Sequence, residues 1–319
     1  MMCAMVLQRR CLLFALIAAV FTQASAIGQP PKRDASQGAA RPPTVSNVSY
    51  GPHERNVLDF WKADVDGPRP LLVFIHGGGF LAGDKSQVAP RMVSQMLDAG
   101  ISLASINYRY STTQPFPGPM HDGARAIQFL RTKAPEWNVD PEKIAAYGGS
   151  AGAGISMWLA FHNDLAQPSS DDPILRQSSR LACAGSIGGQ STYDPLTIRE
   201  WIGGRAWEHP ALLAFYGMKS FDEVDDPKWK PIFDEASAIT YLTADDPPIF
   251  MIYSEPNEPL PSDARPGQGI HHPIFGHKLK EKMDALGIEC IYRHNDDGKS
   301  PSPQDDMASF FKRHLLDTK

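Results

Sequence analysis

Lys143-Ile144-Ala145-Ala146-Tyr147-Gly148-Gly149-Ser150-Ala151-Gly152 is the stretch on which the reading of this chain turns. Its first half is short and mostly apolar and reads as a buried strand. Residues 151–163 read as a helix. Between them Gly148 to Gly152 match G-x-S-x-G, at the one place where that pattern has a mechanical meaning. A tight strand-to-helix turn strains the backbone of its central residue and brings the chain close to itself, so its neighbours must be small. Such a turn lifts the Ser150 hydroxyl above a sheet, at the positive end of a helix. A phosphate-binding loop is excluded: Gly149, Gly152 and Gly154 do not form G-x-G-x-x-G, and no G-K-[ST] follows.

Upstream, His76-Gly77-Gly78-Gly79-Phe80 follows the solid apolar run Leu71-Leu72-Val73-Phe74-Ile75. Three successive glycines let backbone N–H groups turn toward a substrate oxygen with no side chain in the way. Gly78, Gly79 and Ala151 are the expected donors to a developing oxyanion, each commonly worth about 3 kcal/mol. His76 is expected to be structural.

Strands and helices alternate outward from this centre. Strands are expected at 57–61 (an antiparallel edge), 71–75, 101–106, 143–147, 181–187, 248–253 and 288–293. Helices are expected at 86–99, 119–134, 151–163, 274–286 and 304–316. That order gives an α/β fold with a mainly parallel sheet flanked by helices. The alternation stops between Thr192 and about Asp245, where Trp201, Trp207, Phe215, Tyr216 and Trp229 lie among short helical patterns. This stretch reads as a helical cap whose aromatic residues line a pocket.

Together the segments resemble the α/β-hydrolase fold proteins of the hormone-sensitive-lipase-like and feruloyl-esterase-like (BD-FAE-like) carboxylesterases. The matching pieces are HGGGF at 76–80, Asn107-Tyr108-Arg109-Tyr110, Phe116-Pro117 with Asp122, and Asp140-Pro141 with Lys143-Ile144. GGSAG at 148–152, Glu235-Ala236-Ser237 and Asp246-Pro247-Pro248 complete the series. The resemblance runs from about residue 46 to 316. It implies Ser150 as nucleophile, an oxyanion hole of Gly78, Gly79 and Ala151, a structural place for Asp122, and hydrolysis of carboxylic esters.

The chain departs from that pattern where the other catalytic groups belong. A serine hydroxyl needs a base to take its proton, and the base needs an orienting acid. A His-Gly-x-x-Asp segment is typical after the strand ending at Tyr253. Here Ser254-Glu255-Pro256-Asn257-Glu258 stands instead, putting Asn257 or, one position on, Glu258 in the acid's place. After the last strand Lys299 stands near the expected histidine, and His294 lies several positions earlier. Gln268-Gly269-Ile270-His271-His272-Pro273 offers two imidazoles in the enlarged loop after the 248–253 strand. Loops at that end of a sheet converge on the site. His272 is taken first as base and His294 second, with Glu258 as orienter. A chain that has lost its histidine and aspartate also fits a non-catalytic binding protein. A serine peptidase is the third reading, and no large gating domain accompanies it.

Arg9 and Arg10 precede an apolar run, and Ala24-Ser25-Ala26 gives a small-x-small cleavage pattern. Residues 1–26 therefore read as an export signal and 27–43 as a flexible leader before the 44–319 domain. The expected location is periplasmic or extracellular, with no membrane span after cleavage. Cys183 and Cys290 remain and are expected as buried thiols. A net charge of -5 over 319 residues gives no reason to expect nucleic acid. No metal spacing or cofactor motif is present, and the expected partner is a small-molecule or polysaccharide-linked ester.

Overall fold

The computed structural model describes residues 41–316. The export-type segment 1–26 lies outside the described residues, and so does all of the 27–43 leader except 41–43, which carry no regular structure.

Eight strands make one sheet in the order β1-β2-β4-β3-β5-β6-β7-β8. They are β1 (Val45–Ser49), β2 (Val57–Trp61), β3 (Arg69–Ile75), β4 (Ser102–Ile106), β5 (Val139–Gly149), β6 (Ala184–Ile187), β7 (Ile249–Tyr253) and β8 (Cys290–His294). β2 runs antiparallel to both its neighbours, β1 and β4, and every pairing from β4 through β3 to β8 is parallel. This is the mainly parallel α/β sheet expected from the alternation of elements.

The strand sequences explain the layering. Side chains of a strand alternate between faces. Leu71, Val73 and Ile75 of β3 enter one apolar cluster, with residues of α2 (Gly118–Thr132), α4 (Ala151–Phe161) and α9 (Ile274–Ala285). Leu72 of the same strand enters a second cluster, with α1 (Pro90–Asp98) and α10 (Pro303–Leu316). Both faces of β3 are therefore covered, and the strand reads as an unbroken apolar run. The short α3 (Ala134–Trp137) leads into β5, ending at Asn138 in the left-handed conformation.

β2 was expected at the sheet edge, but β1 pairs outside it. The register between them shifts between Val45 and Val48, and Asn47 has φ 54°. That irregularity breaks the two-residue period by which a strand is recognised. Cys183 and Cys290 are buried and unbridged. Burial raises both thiols, Cys290 to about 12, which makes them poor nucleophiles.

The stretch between β6 and β7 is built from α5 (Pro195–Ile202), α6 (Pro210–Tyr216), α7 (Lys230–Ala236) and α8 (Ala238–Tyr241), with short 3-10 turns between them. Prolines stand at the starts of α5, α6 and α7, where a missing N–H costs nothing. Asp194 and His209 cap α5 and α6 through Leu196 N and Ala211 N.

Candidate active site

Ser150 stands at the junction of β5 and α4, with φ 51° and ψ −120°. A non-glycine residue pays on the order of 1–3 kcal/mol for such a conformation and holds it only where its surroundings over-determine it. The surroundings are on hand. A Cβ at Gly152 would fall 2.0 Å from the carbonyl oxygen of Ile75, so only glycine fits as α4 crosses the end of β3. The Ser150 N–H donates to Ile187 O at 2.9 Å, tying the turn to β6.

The triple-glycine loop passes against this turn. A Cβ at Gly77 would lie 2.7 Å from Gly149 O and 3.5 Å from Ser150 Cβ. Gly78 has φ 107°, and a Cβ there would strike Ala82 O at 2.2 Å. Gly78, Gly79, Ser150 and Ala151 line one cavity of about 430 Å³, together with Phe80, Leu81, Tyr193, Leu212, Ile270 and His271 among others. Ala151 is the first residue of α4, where backbone N–H groups have no partner within the helix.

His76 is fully buried, stacked on Tyr108 with ring centroids 4.3 Å apart. Arg55 Nη2 lies 3.2 Å from its Nε2, which leaves Nδ1–H to donate to Gly77 O at 2.7 Å. Burial lowers its pKa to about 4. Its role is to fix the loop. Asp122 is likewise structural, holding the backbone N–H and the guanidinium of Arg109.

His271 is the imidazole at the serine. Its Nε2 lies 2.9 Å from Ser150 Oγ, and its Nδ1 lies 3.3 Å from Glu255 Oε1. With the ring proton on Nδ1, beside the carboxylate, the Nε2 lone pair is left for the hydroxyl. The ring rests on Gly188, just past β6. Its chain neighbour Ile270 is held through its carbonyl by Gln190 Nε2 at 2.6 Å, and Gln190 Oε1 accepts from Tyr193 OH at 3.1 Å. Gln190 is only 3% exposed. His209 lines the same cavity, and its pKa is lowered by burial and by the nearby His271.

Four expectations are corrected. His272, expected as base, donates Nε2–H to Glu258 O at 3.0 Å, and its Nδ1 accepts from Ile274 N at 3.1 Å. Its one lone pair is occupied, so it cannot take a proton from Ser150. His294 is engaged the same way, with Nε2 on Glu255 O at 2.9 Å and Nδ1 on Asp296 N at 3.2 Å. Glu258, expected as orienter, presents only its main-chain carbonyl to a histidine, and to His272 at that. Glu255, passed over in the sequence, is the carboxylate beside His271. Asn257 meets His277 at 3.4 Å instead. The expected aromatic lining also fails: Phe215 is fully buried, stacked on Phe80 at 4.4 Å, and none of Trp201, Trp207, Phe215, Tyr216 or Trp229 lines the cavity. Among the described residues no His/Cys/Asp/Glu cluster fit for a metal occurs.

The ends of β3, β5, β6 and β7 thus bring together a strained serine, a glycine loop, an imidazole and a carboxylate. A hydroxyl, an imidazole and a carboxylate in this sequence of contacts are the groups that nucleophilic catalysis by a serine requires.

Comparison with known proteins agrees with this fold. The sequence pattern of the BD-FAE family matches residues 58–264. Esterase LipQ of Mycobacterium tuberculosis is 31% identical over 228 residues, which are 68% of this chain and 50% of that protein. The probable carboxylic ester hydrolase LipM of the same organism is 27% identical over 221 residues, 67% of this chain and 48% of that one. The chain spans about half the length of these curated relatives. A truncated carbohydrate esterase from gut microbiota superposes with a TM-score of 0.65 at 21% identity, covering 86% of this chain and 96% of that one. An acetyl ester-xyloside bifunctional hydrolase from Caldicellulosiruptor lactoaceticus gives 0.61 at 18% identity, covering 81% and 86%. The chain belongs to the BD-FAE family, carried on the α/β-hydrolase fold.

Proposed function

We propose that this protein hydrolyses carboxylic esters through an acyl-enzyme on Ser150, with His271 as general base and Glu255 as its orienting acid. The observation that carries the reading is the contact of His271 Nε2 with Ser150 Oγ at 2.9 Å, backed by a carboxylate on the far ring nitrogen. His271 takes the hydroxyl proton as Oγ attacks the ester carbonyl. The oxyanion so formed meets the backbone N–H groups of Gly78, Gly79 and Ala151. His271 then gives its proton to the leaving alcohol, and the acyl group stays on Ser150. A water deprotonated by His271 attacks the acyl carbon and releases the acid, and the serine recovers its proton.

Family membership and the esterase relatives support this chemistry. The largely apolar lining of the 430 Å³ cavity suits a small acyl group. The carbohydrate esterases among the structural neighbours, and an N-terminal segment that reads as an export signal, favour an exported enzyme acting on small-molecule or polysaccharide-linked esters. The non-catalytic reading rested on a missing histidine and aspartate. The placement of His271 and Glu255 favours the catalytic reading over it.

Hydrolysis of p-nitrophenyl acetate by the parent and by Ser150→Ala is the test. The variant should fall by about 10³-fold or more in kcat. Equal turnover by the two proteins would refute the reading.

A further inference from the structure

We propose that His294 is a positioning residue for the orienting acid, pinning the backbone of Glu255 from the neighbouring strand. The inference rests on the triad reading of Ser150, His271 and Glu255, and adds a fourth residue, from the end of β8.

Glu255 stands two residues past the end of β7, in a long connection without helix or strand that runs to α9. Within that connection the backbone of residues 254–260 makes no hydrogen bond to any other backbone group among the described residues. Two of its carbonyls are held by imidazoles instead: Glu255 O by His294 and Glu258 O by His272. The carboxylate that faces His271 therefore hangs on a segment whose path is set by side chains. The pin nearest to it is His294.

β8 explains why that side chain is there. His294 ends the strand and pairs with Tyr253, the last residue of β7. Asn295 N continues the contact by donating to Tyr253 O at 3.0 Å. The His294 ring thus starts from the residue abreast of β7's end and spans the step to Glu255. Its orientation is set on the other side too, since Nδ1 accepts from Asp296 N. Its main-chain N–H donates to Asp297 Oδ2 at 3.2 Å, and its side chain is only 15% exposed. A ring held at both nitrogens is a rigid strut, and its one outward donor is spent on the residue that carries the acid. A displacement of about 1 Å in a catalytic group commonly costs about 10²-fold in rate. Among the described residues the bond from His294 is the one hydrogen bond that the main chain of Glu255 makes.

The test compares His294→Phe, His294→Gln, Glu255→Gln and the double variant His294→Phe/Glu255→Gln. The readouts are kcat and KM on p-nitrophenyl acetate. Rates are taken per active serine, counted by titration with a fluorophosphonate. Phenylalanine keeps the ring volume and loses the donor, whereas glutamine restores an N–H at similar reach. His294→Phe should lower kcat by about 10–100-fold with KM within about twofold, and His294→Gln should recover most of the loss. On the Glu255→Gln background, His294→Phe should cost less than about a further twofold, because the two act through one carboxylate. Parental kcat in His294→Phe beside a crippled Glu255→Gln would overturn this inference alone. So would a His294→Phe loss that persists in full on the Glu255→Gln background, or one that disappears once rates are taken per active serine. A Glu255→Gln variant at the parental rate would remove the triad reading and this inference together.

Discussion

Replacing Glu255 by glutamine keeps the shape of the side chain and removes its charge, so it isolates what the acid contributes. On the proposed mechanism His271 becomes an imidazolium on proton transfer, with Glu255 Oε1 3.3 Å from its Nδ1. At an effective dielectric of about 20, unit charges at that distance attract by about 332/(20 × 3.3), roughly 5 kcal/mol. The two side chains are 38% and 34% exposed, and solvent screening at that exposure leaves about half. A loss of about 2–3 kcal/mol in the transition state is about 10²-fold in kcat. KM should change little, because the imidazolium forms only as the reaction proceeds. Glu258→Gln is the control: its carboxylate faces no histidine, and kcat should stay within about twofold. The assay is steady-state hydrolysis of p-nitrophenyl acetate by all three proteins at one pH. Parental kcat in Glu255→Gln, or an equal loss in Glu258→Gln, would refute the assignment of the acid.

Gln190→Leu should lower kcat by about tenfold and stability by about 1–3 kcal/mol, since it leaves Ile270 O and the Tyr193 hydroxyl without their buried partner; denaturant melts and kinetics on one preparation check both. Gly152→Ala should give no folded protein, because its Cβ would sit 2.0 Å from Ile75 O, and circular dichroism of a refolded sample reads this directly. His76 is held near a pKa of about 4, chiefly by burial, against about 6.5 in the unfolded chain. Between those values the unfolded state binds more protons, so the stability from this group is complete above about pH 6.5 and is lost as pH falls toward 4. At pH 5 that is a loss of about 2 kcal/mol relative to pH 7. Unfolding free energies from urea melts at the two pH values, for the parent and His76→Phe, should show the parent's drop exceeding the variant's by that amount.

The parts of the site that were legible in the sequence are those set by local geometry. The turn around Ser150 needs Gly148 and Gly152 because strand and helix meet there, and the glycine loop at 77–79 needs its own backbone freedom. Both demands are written in contiguous residues. The base was not written that way. His271 and His272 are neighbours, and the choice between them depends on which ring the chain turns toward Ser150. That turn passes through Gly269, with φ 80°, and is set by the grip of Gln190 on Ile270. Gln190 lies far away in sequence and carries no motif. Glu255 was missed for a related reason. The acid's expected place, three or four residues past Ser254, follows the register of a His-Gly-x-x-Asp segment that this chain does not keep. The path of 254–260 is fixed by His272 and His294, so no spacing rule reaches it. The family pattern itself ends at residue 264, before either histidine of the 271–272 pair. The cap aromatics misled in another way: large apolar side chains signal burial as readily as a pocket, and Phe215 and Tyr216 are core.

The central claim is that one imidazole out of three activates Ser150. The rate at which a fluorophosphonate labels Ser150, followed by intact mass in the parent and in His271→Ala, His272→Ala and His294→Ala, tests it without any assumption about substrate. Labelling should slow by about 10³-fold or more in His271→Ala and stay within about 10²-fold of the parent in the other two. Labelling of His271→Ala at the parental rate, or a collapse in His272→Ala alone, would contradict the account.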